Sequence, residues 1–154
     1  MTCYAHSLKD HPEKDWQTLE EHSRNVADLA AKFAAPFGSS EAARLLGLVH
    51  DLGKATEEFQ EYLAESNEGV CNDDDGDGAS VHKHGPDHST FGAQWLDRSI
   101  KGLGRLLAYV SARHHSGIPD GVSTSGSASS LSSRLVKNLS PVCQSFNITA
   151  VPFG

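Results

Sequence analysis

The stretch Leu48-Val49-His50-Asp51-Leu52-Gly53-Lys54, "LVHDLGK", decides how this chain is read. An imidazole and a carboxylate stand side by side at the end of an apolar run, followed by a glycine and a lysine. The run before them, with Ala42, Leu45, Leu46, Leu48 and Val49, is apolar nearly all round, so it predicts a central helix over about Ser40 to Leu52. Ser39 or Ser40 is placed to cap its start, and Gly53 to stop it. His50 and Asp51 then fall at the end of a buried element, where neither side chain is placed cheaply without a partner.

Outward from this segment the helical period continues. Residues 18–34 predict a helix opened by Thr18 and Glu21 at capping-box spacing. Leu19, His22, Val26, Leu29, Ala30 and Phe33 recur at steps of three and four, which puts His22 on a core-facing stripe. Pro36 and Gly38 end this element. A short helix is expected from Thr56, with Phe59, Tyr62 and Leu63 inward. Residues 66–86 read as an acidic loop without period. Helix resumes near His88 through Phe91, Trp95 and Leu96, and another spans Leu103 to His115, with Leu103, Leu107, Val110 and His114 on one stripe. Residues 123–130 are mostly serine, glycine and alanine, suiting an exposed loop, and Leu131, Leu135 and Leu139 predict a last short helix. No strand-like alternation and no internal repeat is visible. The fold class expected is all-α, a helical bundle with four or five helices before the serine-rich stretch.

Composition narrows the function. A length of 154 residues suggests one domain, able to bury roughly 70% of its unfolded surface. The organisation expected is a core over 1–121, with 122–154 as a serine-rich loop and C-terminal segment of the same domain. Twenty acids against 13 bases give a net charge of −7, which argues against a broad electrostatic grip on nucleic acid. A small site that meets phosphate with metal ions remains compatible with that charge. Cys3, Cys71 and Cys143 form no CxxC pair and are expected as reduced thiols of a cytoplasmic protein. No signal-like segment opens the chain and no apolar run reaches the ~20 residues of a membrane span, so no membrane role is expected. "NIT" at 147–149 reads as a chance match to a glycosylation acceptor.

Nine histidines are the unusual count. His22 lies on a helix face, His50-Asp51 at a helix end, His88 at a helix start, and His114-His115 at another helix end. Each has an ordinary reading: a hydrogen-bonded core histidine, a chance dipeptide, a residue near a cap, or an exposed pair at a helix C-terminus. Taken together at inner faces and element ends, they point to a metal centre built inside a bundle. The two oxygens of Asp51 allow it to bridge a pair of ions. A competing pattern, Asp73, Asp75, Asp77 and Gly78, fits the opening of a calcium loop, but His84 stands where a bidentate Glu is needed, so a solvated acidic loop is expected. His82 and His84 are alternatives to His88, which is preferred because "DHS" heads a helix. His6 and His11 have no strong claim.

At this point "LEEHSRNVADLA", "LLGLVHDLGKATEEFQEYL", "DHSTFGAQWL" and "YVSARHHSGIPDG" together resemble the HD-domain nuclease of type I CRISPR systems, within the wider HD phosphohydrolase superfamily. "YAHS" at 4–7 is also similar to the start of such proteins, and the resemblance runs over about residues 4 to 121. It implies an HD-domain helical bundle that hydrolyses phosphodiester bonds of single-stranded DNA during CRISPR interference. It implies one or two divalent transition-metal ions: manganese, iron, cobalt, nickel or zinc, rather than magnesium. His22, His50 and Asp51 would hold the first, and Asp51, His88, His114 and His115 the second. Lys54 would face the scissile phosphate, making Asp51 and Lys54 the catalytic pair. Single-stranded DNA, a CRISPR helicase domain or subunit, and the RNA-guided surveillance complex are the implied partners. A further aspartate on a later helix, which the resemblance would add to the first ion, has no counterpart, since no Asp or Glu follows Asp120. The alternatives are a phosphohydrolase acting on small nucleotides and a metal-poor, non-catalytic docking domain.

Overall fold

A computed structural model of the chain describes residues 2–67, 85–114, 117, 119–122 and 130–143. His115, the acidic segment with His82, His84 and the calcium-like spacing, Cys71, most of the serine-rich stretch and "NIT" lie outside these residues. The described residues form six α-helices and one small sheet: β1 (Tyr4–His6), β2 (Gln17–Thr18), α1 (Leu19–Ala34), α2 (Ser40–Val49), α3 (Glu57–Asn67), α4 (Ser89–Ser99), α5 (Gly104–Ala112) and α6 (Leu131–Leu135). The fold is an all-α bundle, with five of these helices before the serine-rich stretch.

Two short strands correct the expectation of none. β1 and β2 pair antiparallel, Tyr4 opposite Thr18 and His6 opposite Gln17. With three and two residues, they are too short to leave an alternating pattern in the sequence. Thr18 caps α1 as its spacing predicts, its hydroxyl accepting from the Glu21 amide at 3.2 Å. Ser39 occupies the N-cap position of α2 but its side chain makes no cap bond there, while the Ser40 hydroxyl turns back to donate to Ala31 O at 3.1 Å.

α1 and α2 form an antiparallel pair whose contact is made by small residues. The buried stripe of α1 is Leu19, Ser23, Ala27 and Ala31, not the predicted Leu19, His22, Val26, Leu29, Ala30 and Phe33. Leu29 and Phe33 are 52% and 69% exposed. The reason is the closeness of the two backbones: a Cβ on Gly47 would stand 2.5 Å from the Ala27 Cα. Large side chains do not fit that seam, so they are left on the outer face of α1. His22, Val26 and Ala30 are half-buried on the stripe between. α5 departs in the same way. Leu103 and Val110 are exposed, and Gly104, Leu107, Ala108, Ser111 and Ala112 are buried.

The principal core joins Leu48, Val49 and Leu52 to Ala93 and Leu96 of α4, Leu107, Ala108 and Ala112 of α5, and Leu131 and Leu135 of α6. The chain after the serine-rich stretch therefore packs into the same core as α2. α6 is shorter than predicted and stops before Leu139. The segment beyond it returns to the front of α3: Glu57 N donates to Pro141 O at 3.2 Å and Cys143 N to Ala55 O at 2.8 Å. Cys3 and Cys143 are free, buried thiols in one apolar cluster with Ala5, Leu19 and Ala55.

Candidate metal centre

α2 ends at Val49, earlier than predicted, and His50 caps it with helical dihedrals. The chain then tightens into a 3-10 turn over Leu52–Ala55. Gly53 is not the helix stop it was expected to be. A Cβ there would lie 2.3 Å from His88 O, and the Gly53 amide donates to that same oxygen at 3.1 Å. The glycine lets the turn after Asp51 touch the backbone that carries His88.

Asp51 lies at the centre of the arrangement and is 1% exposed. Its two oxygens face different histidines. Oδ2 is 3.1 Å from His22 Nε2, 3.2 Å from His50 Nε2 and 3.0 Å from Lys54 Nζ. Oδ1 is 3.2 Å from His114 Nε2 and 3.9 Å from His88 Nε2. His22, His50 and Asp51 form one possible metal-holding group, and Asp51, His88 and His114 another, with the donor atoms in each within 4.8 Å of one another. Of the predicted site residues, His22, His50, Asp51, Lys54, His88 and His114 converge, and His115 is outside the described residues.

The far nitrogens of three rings are held by oxygen acceptors. His50 Nδ1 is 2.7 Å from Gly47 O, His88 Nδ1 3.1 Å from Pro86 O, and His22 Nδ1 3.3 Å from Gln17 Oε1. These acceptors place the proton on Nδ1 and turn the Nε2 lone pair inward, the orientation that oxygen acceptors behind the ring give metal-bound histidines. His22 Nε2 and His50 Nε2 are then 3.3 Å apart with lone pairs converging beside a carboxylate. That is a donor set suited to a cation. A second observation agrees. Asp51 Oδ1 is fully shielded, and its neighbours among the described residues are imidazole nitrogens, His114 Nε2 at 3.2 Å and His88 Nε2 at 3.9 Å. A buried carboxylate oxygen left in that state calls for positive charge.

Charge in the site follows the same logic. Burial alone would raise the pKa of Asp51, but with a proton on Nε2 where a cation would otherwise stand, the imidazoles of His114 and His50, together with the Lys54 ammonium, outweigh it and hold the group well below the usual carboxylate range. His22 is lowered from its ordinary value, chiefly by burial and further by His50 and Lys54, against the pull of Asp51. An anionic aspartate beside a neutral imidazole is the ligand form that metals require. Lys54 is itself buried, and its ammonium also donates to Ala5 O at 3.2 Å. β1 thus reaches into the site, and Gln60 ties the two together, its Nε2 donating to Lys54 O at 2.6 Å and to Tyr4 O at 2.9 Å.

A cleft of about 750 Å³ opens beside the Oδ2 group, lined by His22, His50, Asp51, Lys54 and His114 with Val26, Ala30, Leu46 and Val110 as an apolar wall. His6, given no strong claim from sequence, lines it too, and its ring meets the edge of His22 at 4.9 Å between centroids. The only signal for it was the "YAHS" stretch. Gln17 was also missed, because a glutamine just before a cap looks like any polar residue.

The family model described as HD domain matches residues 19–139. The chain belongs to the HD domain family. A comparison with curated proteins finds no match. HD domains are metal-dependent hydrolases, and His22, His50, Asp51, His88 and His114 form a possible divalent-metal site of that kind. The HD match spans α1 to the segment past α6, so it includes all five of these residues. Among the described residues, no helix is long and apolar enough to cross a membrane.

Proposed function

We propose that this HD domain is a two-metal phosphodiesterase that cleaves single-stranded DNA, acting as the nuclease of a type I CRISPR system. The observation that carries the proposal is the division of Asp51. One oxygen faces His22 and His50, the other His114 and His88. This is the arrangement a bridging carboxylate needs. The "DHS" and "RHHSGIPDG" stretches around His88 and His114 favour the CRISPR branch over the rest of the family.

His22, His50 and Asp51 would hold one ion, and Asp51, His88 and His114, with His115, the other. A nitrogen-rich set of this kind favours manganese, iron, cobalt, nickel or zinc over magnesium. Two ions so held supply charge to polarise a phosphodiester and to lower the pKa of a water nucleophile. The chain's own contribution is positional. Lys54 keeps Asp51 ionised and adds positive charge at the cleft. Val26, Leu46 and Val110 offer an apolar wall on which a sugar or base can rest while its phosphate faces the histidines. With a chain charge of −7, grip is local, and a helicase partner and the RNA-guided surveillance complex deliver the strand.

The test is incubation with circular single-stranded DNA and manganese, cobalt or nickel. Cleavage by the wild type, lost in Asp51→Ala, is expected. No cleavage by wild type, or equal cleavage by the variant, overturns the reading. A second reading, hydrolysis of a small nucleotide, is favoured by the cleft volume of about 750 Å³, which lies within the range of small-ligand pockets. Phosphate release from free nucleotides without DNA cleavage would select it. A metal-poor docking domain is the third, and metal analysis showing two tightly held ions per chain would exclude it.

A further inference from the structure

His88 and His114 are not inside helices. His88 immediately precedes α4, and His114 lies two residues past the end of α5. Their positions depend on what holds those two chain ends together. His22 lies inside α1 and His50 continues α2 directly with helical dihedrals, and those two helices are held against each other by the close Ala27–Gly47 contact.

One side chain spans the two ends, and it comes from α6. Arg134 Nη1 donates to Ala112 O, the last residue of α5. Its Nη2 donates to Ser89 Oγ, on the first residue of α4, at 3.3 Å, and lies 3.7 Å from Asp87 Oδ1. Asp87 in turn accepts from the Thr90 amide at 3.2 Å, the Thr90 hydroxyl at 2.7 Å and Lys137 Nζ at 3.1 Å. Thr90, Lys137 and Arg134 overcome the opposing effect of burial and hold the Asp87 pKa down at about 2. The Arg134 side chain is only 14% exposed. Its helix is anchored independently, through Gln94 Nε2 to Arg134 O at 2.9 Å and Lys137 O at 2.7 Å, and through buried Leu131 and Leu135. A planar fork with fixed donor directions is suited to holding several oxygens at set spacings, which a lysine point charge is not.

Resting on the two-ion reading above, we propose that Arg134 is the positioning residue of the Oδ1 pocket. It fixes the ends of α4 and α5 at the spacing at which His88 and His114 both face Asp51, and so sets the affinity of the second ion without touching metal or substrate. Outer partners of metal ligands typically change affinity by about tenfold to a hundredfold.

The test is titration of the full metal-free chain with cobalt(II), followed by visible absorption and by ion stoichiometry. Wild type is expected to take two ions. Arg134→Met is expected to weaken the second by about tenfold to a hundredfold and leave the first unchanged. In the metal-free protein its imidazole nitrogen resonances should move for His88 and His114 but not for His22 and His50. Should Arg134→Met not fold, Arg134→Lys carries the same test, since it keeps charge and bulk but not the fork, and selective loss of the second ion is again expected. Equal binding of both ions by the variant that folds, or equal weakening of both, overturns the role of Arg134 alone. A wild type that takes one ion or none overturns the two-ion reading, and the Arg134 proposal with it.

Discussion

The two halves of the candidate metal centre are built by opposite means. The His22–His50 half comes from adjacent helices, α1 and α2, joined by a short turn and packed through Ala27 and Gly47 so closely that no side chain separates the backbones. Its geometry follows from a continuous helix-to-helix seam. The His88–His114 half comes from two chain ends, at the start of α4 and past the end of α5, and polar groups hold it. Gly53 N and Pro86 O fix His88, and the Arg134–Asp87 network joins the ends. A seam made of packing loosens only when the helices separate. A junction made of a few hydrogen bonds can be loosened one group at a time. On the proposed two-ion reading, the first ion's pocket should therefore be rigid and the second's adjustable.

Asp51 is the one residue both halves share, and its loss should erase the difference. Asp51→Asn keeps the shape but removes the charge that faces four imidazoles. We expect both ions to be lost and phosphodiester cleavage to fall by at least on the order of 10²–10³-fold, the scale seen when a single charge-stabilising group is removed from a catalytic site. Ion stoichiometry and cleavage of circular single-stranded DNA check it. A variant that keeps one tightly bound ion would show that the halves do not depend equally on the bridge.

The same division explains what the sequence could and could not say. Helix placement was legible, because the 3.6-residue period and the Thr18 cap are local. Convergence of His22, His50, Asp51, His88 and His114 was legible as well, since each stood at an inner face or an element end. The buried stripe of α1 was not. Large apolar residues dominate any 3.6-residue period, and here Val26 borders a cleft and Leu29 and Phe33 face outward, while alanine and serine make the seam. Gly53 looked like a helix stop because its true constraint, His88 O, is 35 positions further along the chain. Arg134 carried no local signal at all: its partners at Asp87, Ser89 and Ala112 meet it only through tertiary folding.

Gly47 and Gly53 give a matched pair for separating the halves. In each, an added Cβ would strike backbone, at 2.5 Å from Ala27 Cα for Gly47 and 2.3 Å from His88 O for Gly53. Backbone cannot rotate away, so Gly47→Ala and Gly53→Ala should each cost about 2–4 kcal/mol of stability, overpacking with a strained or lost hydrogen bond. Their effects on metal should divide. Gly47→Ala pushes α1 from α2, and displaces the carbonyl that orients His50, so the first ion weakens. Gly53→Ala pushes His88 from Asp51, so the second does. Denaturant unfolding with cobalt(II) titration reads both quantities. If both variants weaken the same ion, the two pockets are not independently supported.

The smallest effect tests whether stability lost within α1 reaches the metal at all. Thr18→Ala removes the hydroxyl that accepts from Glu21 N, for a cost of about 1 kcal/mol. His22 lies on the first turn of α1, one turn past that cap, but its position is also fixed by Gln17 Oε1 from β2 and by the Ala27–Gly47 contact farther along the helix. A seam that supports His22 over the length of α1 should absorb fraying at one end. Thr18→Ala is therefore expected to lower the unfolding midpoint while both ion affinities stay within about twofold of wild type, well short of the loss expected when an outer partner of a ligand is removed. Loss of the first ion in this variant would mean that the cap, and not the seam, holds His22 in place, and the contrast between a packed half and a hydrogen-bonded half would fail.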